Sequence, residues 1–261
     1  MKDKFKIGID YGGTKIEAIL MNDKGDEIKR ERSGYDRNYE SGISTVKKFV
    51  ETFKKESSNE ATVGIAIPGY SSKETGLVHN ANSIWLNNKH FKKDLEKNLN
   101  CEVKIMNDAN CFTLSEAIDG AGKDFKSVFG IIIGTGFGSG LSYKKEVIEG
   151  VNQVAGDWGH QPLPYPTEEE INSKIKCTLP TCGRPLCAEQ FVSGAGFAKN
   201  FNLKHNTNYK APEIVALDKK GDPKANKEFE LYEDRFARLI AVMIGIFDPE
   251  AIVLGGGMSN T

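Results

Sequence analysis

The chain has 261 residues, 39% of them hydrophobic, which is enough for two modest domains or one large one. Lys and Arg number 35 against 36 Asp and Glu, so no net charge attracts nucleic acid or a membrane surface, and neither is an expected partner. No apolar stretch approaches the roughly 20 residues that span a bilayer, and the chain opens on a short strand-like run rather than a signal core, which predicts a cytoplasmic protein.

A glycine turn between two strands opens the chain. Residues 5–10 alternate apolar and polar side chains, the turn Tyr-Gly-Gly-Thr-Lys follows at 11–15, and a second apolar run at 16–21 ends in another turn. A Rossmann or P-loop motif needs its glycine turn to open a helix, so this pattern predicts neither. The turn still suits phosphate, because glycine lets backbone amides approach the oxygens closely.

The same pattern recurs at residues 128–143, where an apolar run, the turn Gly134-Thr135-Gly136 and a second run lead to a charged turn. Either turn alone is compatible with a simple hairpin, but two copies predict an internal duplication. Between the copies, apolar periodicity predicts helices at 39–55 and 91–99, and strands at 63–67 and 102–106.

An acid follows the strand predicted at 102–106. Asp108 would lie at the carboxyl end of that strand, where open α/β sheets bind ligands, and a helical pattern begins directly after it. The alternative is that Asn107 or Asp108 only caps this helix.

The pattern loosens after residue 150. Residues 161–186 are rich in Pro, Thr and charge, and predict a functional loop. Helices are predicted at 187–201 and 223–247, followed by a buried strand at 251–254 and a glycine turn at 255–257. A strand so near the end indicates either that a following helix is missing or that the turn itself has the function.

Four potential metal ligands lie in or near this loop. His160, Cys177, Cys182 and Cys187 offer one imidazole and three thiols, the set that tetrahedral structural zinc prefers. The alternative is that these are unliganded core thiols. If zinc takes one ring nitrogen of His160, the other carries a proton and becomes a fixed donor toward a substrate.

Four acids stand next to Gly, Asn or Cys in these stretches, namely Asp10, Asp108, Asp157 and Glu189. Acids are abundant, so their placement is compatible with chance. The alternative is a phosphoryl-transfer site, which needs an acid on the metal, amides on the phosphates and a base for the acceptor hydroxyl. Asp10, the glycine turns and Asp108 fit those three roles.

Six motifs, in this order, resemble those of the ROK family of sugar kinases and repressors. They lie at residues 10–15, 107–110, 134–140, 156–160, 182–189 and 255–257. The match runs from residue 5 to the end, and no helix-turn-helix segment precedes it, which disfavours the repressor branch. The segments at 80–86, 115–117 and 255–260 look most like the bacterial fructokinases that also accept mannose, with N-acetylglucosamine kinases close behind.

The resemblance implies an α/β, actin-like and hexokinase-like (ribonuclease H-like) duplicated fold, with sugar and ATP bound in a cleft between two domains. We expect an N-terminal domain at 1–115 and a C-terminal domain with a zinc loop at 116–261. The family continues past the last glycine turn with more helix, so the second domain is expected to be cut short at Thr261. Family members often form homodimers.

The resemblance also implies a role for each matching residue. Asp108 would be the general base on the sugar's 6-hydroxyl. The sugar hydroxyls would be held by Asn82, Asn107, Asp157, His160 and Glu189. Asp10 would act through magnesium. The phosphates and the nucleoside would be contacted by Gly12, Gly13, Thr14, Lys15, Gly134, Thr135, Gly136, Gly256 and Gly257.

The expected reaction is therefore ATP-dependent phosphorylation of a hexose, with fructose or mannose as first expectation and N-acetylglucosamine or glucose as the alternative. The family usually has Glu at the position of Asp157, which here shortens the reach to the sugar by one methylene. The family's first zinc cysteine usually lies at position 180, which is Pro here, so the loop would bulge to bring in Cys177. A catalytically weak sugar-binding relative and a zinc-loop scaffold are the other hypotheses.

Overall fold

The computed structural model describes residues 5–57, 61–173 and 182–261. The chain forms two compact units, Met1–Cys111 with Val151–Gln153, and Phe112–Gly150 with Val154–Thr261. The predicted domain boundary at 115/116 stays a prediction, since one helix, Asp108–Ile118, contributes to both units.

The first unit is built on a five-stranded mixed sheet in which three parallel strands stand side by side. The order is β3-β2-β1-β4-β7, with β1 parallel to β4 and β4 parallel to β7. A two-stranded sheet of β5 and β6 and a 3-10 helix at Ile84–Leu86 complete it. The elements are β1 Phe5–Tyr11, β2 Lys15–Met21, β3 Glu27–Gly34, α1 Tyr39–Glu56, β4 Ala61–Ile67, β5 Tyr70–Ser71, β6 Val78–His79, α2 Phe91–Leu99, β7 Val103–Asn107 and α3 Asp108–Ile118.

Helix α1 forms for the reason that the sequence indicates. Asn38 caps it, accepting the backbone N–H of Ser41 at 2.8 Å, and the apolar positions recur every three to four residues. That stripe is buried in the core of the first unit and comprises Ile43, Val46, Phe49, Val50 and Phe53. The predictions at 39–55 and 91–99 are confirmed as α1 and α2.

The second unit has a four-stranded sheet in the order β10-β9-β8-β11, with helices α5 to α8 around a second hydrophobic core. Its elements are β8 Ser127–Ile133, β9 Phe137–Tyr143, β10 Glu146–Val147, α4 Glu168–Asn172, α5 Glu189–Val192, α6 Gly194–His205, α7 Ala211–Asp218, α8 Pro223–Phe247 and β11 Ala251–Gly255. A 3-10 helix follows at Gly257–Asn260. The predicted helix at 223–247 is confirmed.

The two sheets repeat one pairing scheme, which confirms the duplication. In the first, β1 pairs antiparallel with β2, β2 antiparallel with β3, and β1 parallel with β4. In the second, β8 pairs antiparallel with β9, β9 antiparallel with β10, and β8 parallel with β11. Each glycine turn therefore joins the central strand to its antiparallel neighbour.

The helix predicted at 187–201 is wrong as a single element. It is divided into α5 and α6 at Ser193, whose backbone is extended with ψ 156°. The Ser193 hydroxyl accepts the N–H of Gly196 at 3.0 Å, and thus caps a new helix. Within the three described ranges, no helix is both long and apolar enough to cross a membrane.

Candidate functional site

Asp108 lies directly after β7, as predicted, with an exposed side chain in the first turn of α3. One of its carboxylate oxygens accepts the N–H of Ala109 at 2.8 Å. The capping role belongs to Asn107, whose Oδ1 accepts the N–H of Asn110 at 3.2 Å while its Nδ2 donates to the carbonyl of Gly69 at 3.0 Å. Asn107 thus fixes the start of the helix that presents Asp108.

Asp10 occupies the same edge of the sheet. It lies near the carboxyl end of β1, two strands from β7 in the parallel set, a spacing of roughly 10 Å between strand axes. Burial, with smaller contributions from the charges of Asp108 and Asp10, raises the pKa of the Cys111 thiol to about 12. Both carboxylates therefore act on one thiol. Desolvation by the surrounding protein and the negative charge of Glu17 raise the pKa of Asp10 itself, and the charge of Arg32 partly offsets that rise.

The first glycine turn is held by aromatic side chains. The hydroxyl of Tyr35 donates to the carbonyl of Gly12 at 2.9 Å. The ring of Tyr35 packs edge-on against the buried Tyr11, whose hydroxyl accepts the indole N–H of Trp85 at 3.2 Å. A side chain at Gly12 would come within 2.8 Å of the carbonyl of Lys15, so the tight turn requires glycine there. Thr14 and Lys15 are exposed beside it.

Asn82 belongs to a loop that approaches this turn. Its side chain is exposed, whereas Ser83 is buried beside Gly13. Asn87 holds the loop by pairing with both backbone groups of Ala81: its Oδ1 accepts the N–H and its Nδ2 donates to the carbonyl, each at 2.9 Å. Neither Asn87 nor Tyr35 stood out in the sequence. The one available signal for Asn87 was that it is a polar residue close in sequence to Asn82, a predicted sugar ligand.

The second glycine turn lies beside the last one. Gly134-Thr135-Gly136 follows β8, and Gly256 follows β11, the parallel neighbour of β8. Gly256 has φ +85°, and a side chain there would come within 2.5 Å of the carbonyl of Ile133. Gly194, at the start of α6, donates its N–H to the carbonyl of Gly134 at 2.8 Å. Three glycine segments thus meet at one sheet edge. Thr135, Gly136 and Gly257 are exposed there.

Glu189 contacts the second turn rather than standing apart from it. Its Oε2 accepts the N–H of Phe137, the residue that closes the turn, at 3.1 Å. Its own backbone N–H donates to the carbonyl of Gly159 at 2.8 Å, next to His160. The short helix α5 therefore connects the segment around His160 to the glycine turn.

Three of the four predicted metal ligands are brought together. Nδ1 of His160 lies 3.4 Å from Sγ of Cys187, which lies 3.9 Å from Sγ of Cys182. Tetrahedral zinc with bonds of about 2.3 Å to sulfur and about 2.0 Å to nitrogen places two sulfurs about 3.8 Å apart, and sulfur and nitrogen about 3.5 Å apart. Both distances fit that geometry, and all three ligand atoms lie within 4.8 Å of one another. Cys177, the fourth predicted ligand, lies outside the described residues.

Asp157 precedes this cluster, with its side chain reaching solvent. Its surroundings raise the pKa of the carboxyl by desolvation, and the nearby His160 partly offsets that rise.

The predicted site residues form two groups. Asp10, Asn82, Asn107 and Asp108 belong to the first unit, and Asp157, His160 and Glu189 to the second.

Comparison with known proteins shows which family the chain resembles. The sequence pattern of the ROK family matches residues 6–261. The N-acetyl-D-glucosamine kinase of Vibrio cholerae is 36% identical over 254 residues, which cover 97% of this chain and 84% of that enzyme. Its counterpart in Aliivibrio salmonicida is 35% identical with the same coverage.

Solved structures show the fold. A ROK hexokinase from Thermus thermophilus superposes with a TM-score of 0.82 at 23% identity, covering 98% of this chain and 83% of that one. Because the family pattern spans almost the whole chain and the Vibrio relative exceeds a third identity over nearly all of it, the chain belongs to the ROK family and is one of its sugar kinases.

Proposed function

We propose that this protein transfers the γ-phosphoryl group of ATP to the 6-hydroxyl of N-acetylglucosamine. The observation that carries the substrate assignment is the 36% identity to an N-acetyl-D-glucosamine kinase over 97% of the chain. This favours the alternative given above over fructose, the first expectation from the sequence.

Asp108 is the general base of the proposal. Its exposed carboxylate follows β7, and its first-turn position on α3 is fixed by Asn107. As the 6-hydroxyl oxygen bonds to the γ-phosphorus, its proton passes to Asp108, the bond from phosphorus to the β,γ-bridging oxygen breaks, and ADP leaves with that electron pair.

The phosphates of ATP are assigned to the two glycine turns, through Gly12, Gly13, Thr14 and Lys15 in the first unit and residues 134–136 in the second. Both turns follow the central strand of their sheet and expose backbone, which suits oxygen anions. The nucleoside is assigned to Gly256 and Gly257. Asp10 would hold magnesium, which neutralises charge on the phosphates when bound.

The sugar is assigned to side chains that have polar atoms available to bind its hydroxyl groups. Asn82 and Asp157 are exposed, and Glu189 uses one carboxylate oxygen on Phe137, which leaves the other for a hydroxyl. The side chain of Asn107 already binds Asn110 and Gly69 through both of its polar atoms. We therefore assign Asn107 mainly to positioning Asp108, and only secondarily to contact with the sugar.

Zinc is assigned to His160, Cys182 and Cys187, whose spacing fits a tetrahedral ion. Since Nδ1 of His160 faces Cys187, its Nε2 would carry the proton and donate to a sugar hydroxyl. Emission spectroscopy of the purified protein tests this assignment. We expect about one zinc per chain, and a loss of zinc in Cys182→Ser.

A coupled assay of ADP release tests the function. With ATP at saturation, kcat/KM is measured for N-acetylglucosamine, glucose, mannose and fructose, and we expect the first to be highest. Asp108→Asn should lower kcat by about 10²–10⁴-fold, the usual contribution of a general base. Asp119→Asn, an exposed acid just after α3, is the control and should leave kcat unchanged. Full turnover by Asp108→Asn would contradict the assigned base, and a preference for fructose would contradict the assigned sugar.

A further inference from the structure

We propose that Glu189 is a positioning residue for the nucleotide as well as a ligand of the sugar, so that one carboxylate couples the two substrates. The proposal rests on the function proposed above and adds a second role to a residue assigned there only to the sugar. The geometry that points to it is the hydrogen bond between Oε2 of Glu189 and the N–H of Phe137.

Phe137 is the residue at which the glycine turn ends and β9 begins. Within the turn, the N–H of Gly134 donates to the carbonyl of Gly136 at 3.0 Å. Glycine residues leave such a turn many backbone conformations. An acceptor fixed from outside the turn therefore restricts the backbone conformations that the turn can adopt.

Glu189 reaches this position because α5 is held at both ends. Its first N–H donates to the carbonyl of Gly159, and the carbonyl of Glu189 accepts the N–H of Ser193 at 3.0 Å. The next residue, Gly194, donates to the carbonyl of Gly134. The turn is thus clamped at Gly134 by a backbone amide and at Phe137 by a carboxylate, both from the segment Glu189–Gly194.

Space around the carboxylate is limited. A side chain at Gly136 would come within 3.1 Å of Oε2 of Glu189, and no other neighbour comes nearer to that position. The carboxylate therefore packs directly against the turn. Shortening Glu189 or removing its carboxylate would leave the Phe137 N–H without this partner and release the turn, while the backbone clamp at Gly134 would remain.

Calorimetric titration with a non-hydrolysable ATP analogue and magnesium, without sugar, tests the proposal. We expect Glu189→Ala to raise the Kd of the analogue about tenfold, the loss that follows from one hydrogen bond to a charged group. Glu189→Gln keeps an oxygen acceptor of the same length for Phe137 and removes the negative charge, so its Kd should change by less than threefold.

Asp157→Asn is the matched control, since Asp157 is also an acid assigned to the sugar but makes no hydrogen bond to the turn among the described contacts. It should raise the KM of the sugar and leave analogue affinity unchanged. Melting temperature and zinc content report whether each variant is folded. Parent-like affinity in a folded Glu189→Ala would overturn the inference, as would equal losses in Asp157→Asn. Failure of the parent to bind the analogue would instead overturn the proposed function.

Discussion

Removing the side chain of Asn87 should weaken both the fold and the sugar affinity. This amide pairs with the N–H and the carbonyl of Ala81, each at 2.9 Å, and Ala81 is only 1% exposed. A buried backbone group left unpaired costs about 1–3 kcal/mol, and partial entry of water reduces that cost, so we expect Asn87→Ala to lower the free energy of unfolding by about 2 kcal/mol. In a chain of this size, that corresponds to a melting temperature about 5 °C lower.

The functional part of the same prediction concerns Asn82. Because Asn82 follows Ala81 directly, loss of the anchor should raise the KM for the sugar about tenfold while kcat falls little. Differential scanning fluorimetry and steady-state kinetics measure the two effects. Asn172→Ala, which removes an exposed amide at the end of α4, is the control and should change neither. A parent-like KM in a destabilised Asn87→Ala would refute the link between this anchor and the sugar.

Three further predictions concern single side chains. Tyr35→Phe removes the hydroxyl that holds Gly12, and should raise the KM for ATP about fivefold while the KM for the sugar is unchanged. Steady-state kinetics that give the parent and the variant the same KM for ATP would refute this. Asp157→Glu lengthens the reach by one methylene and should lower the KM for the sugar a few-fold; no change would indicate that this acid makes no sugar contact. Burial raises the pKa of Glu170, but hydrogen bonds from Arg238, Arg235 and the Thr167 N–H outweigh it and hold that pKa below its usual range. Its stabilisation is therefore present above the ordinary Glu pKa of about 4.3 and is lost as the pH falls through the lower folded value, so the melting temperature should drop more between pH 5 and 3 in the parent than in Glu170→Gln.

The hairpins around the glycine turns were predictable because short alternating or apolar runs flank turns that are rich in glycine. Strand β3 was not predicted, since it is an edge strand of the sheet that carries mostly charged side chains. Its Arg30 and Arg32 pair with Glu17 on the neighbouring strand, and this pairing is visible only once the register is known. The break at Ser193 was missed because apolar periodicity continues across it, although serine is a common helix cap.

The residues that hold the site were less predictable than those assigned to the substrates. Tyr35 is 23 residues from the glycine it contacts, and Glu189 is 52 residues from Phe137. No spacing rule relates positions so far apart. Acids near turns can be selected as candidates by chemistry alone, and Asp108 and Glu189 are examples. The partner of each acid depends on how distant strands and helices pack, which the order of motifs in the sequence does not specify.

The two copies hold their glycine turns with different chemistry, and the difference has a consequence for the coupling between the two substrates. The first turn is held by the neutral hydroxyl of Tyr35, whereas the second is held by the carboxylate of Glu189. A carboxylate next to a turn that accepts phosphates repels them unless other groups share its charge. The N–H of Phe137 satisfies one of its oxygens, and sugar hydroxyls donating to the other would reduce the repulsion further. We therefore expect N-acetylglucosamine to raise the affinity for the ATP analogue, measured by titration with and without the sugar, and we expect Glu189→Gln to reduce this coupling because its side chain is neutral in both states. Equal coupling in parent and variant would show that the charge of Glu189 has no part in it.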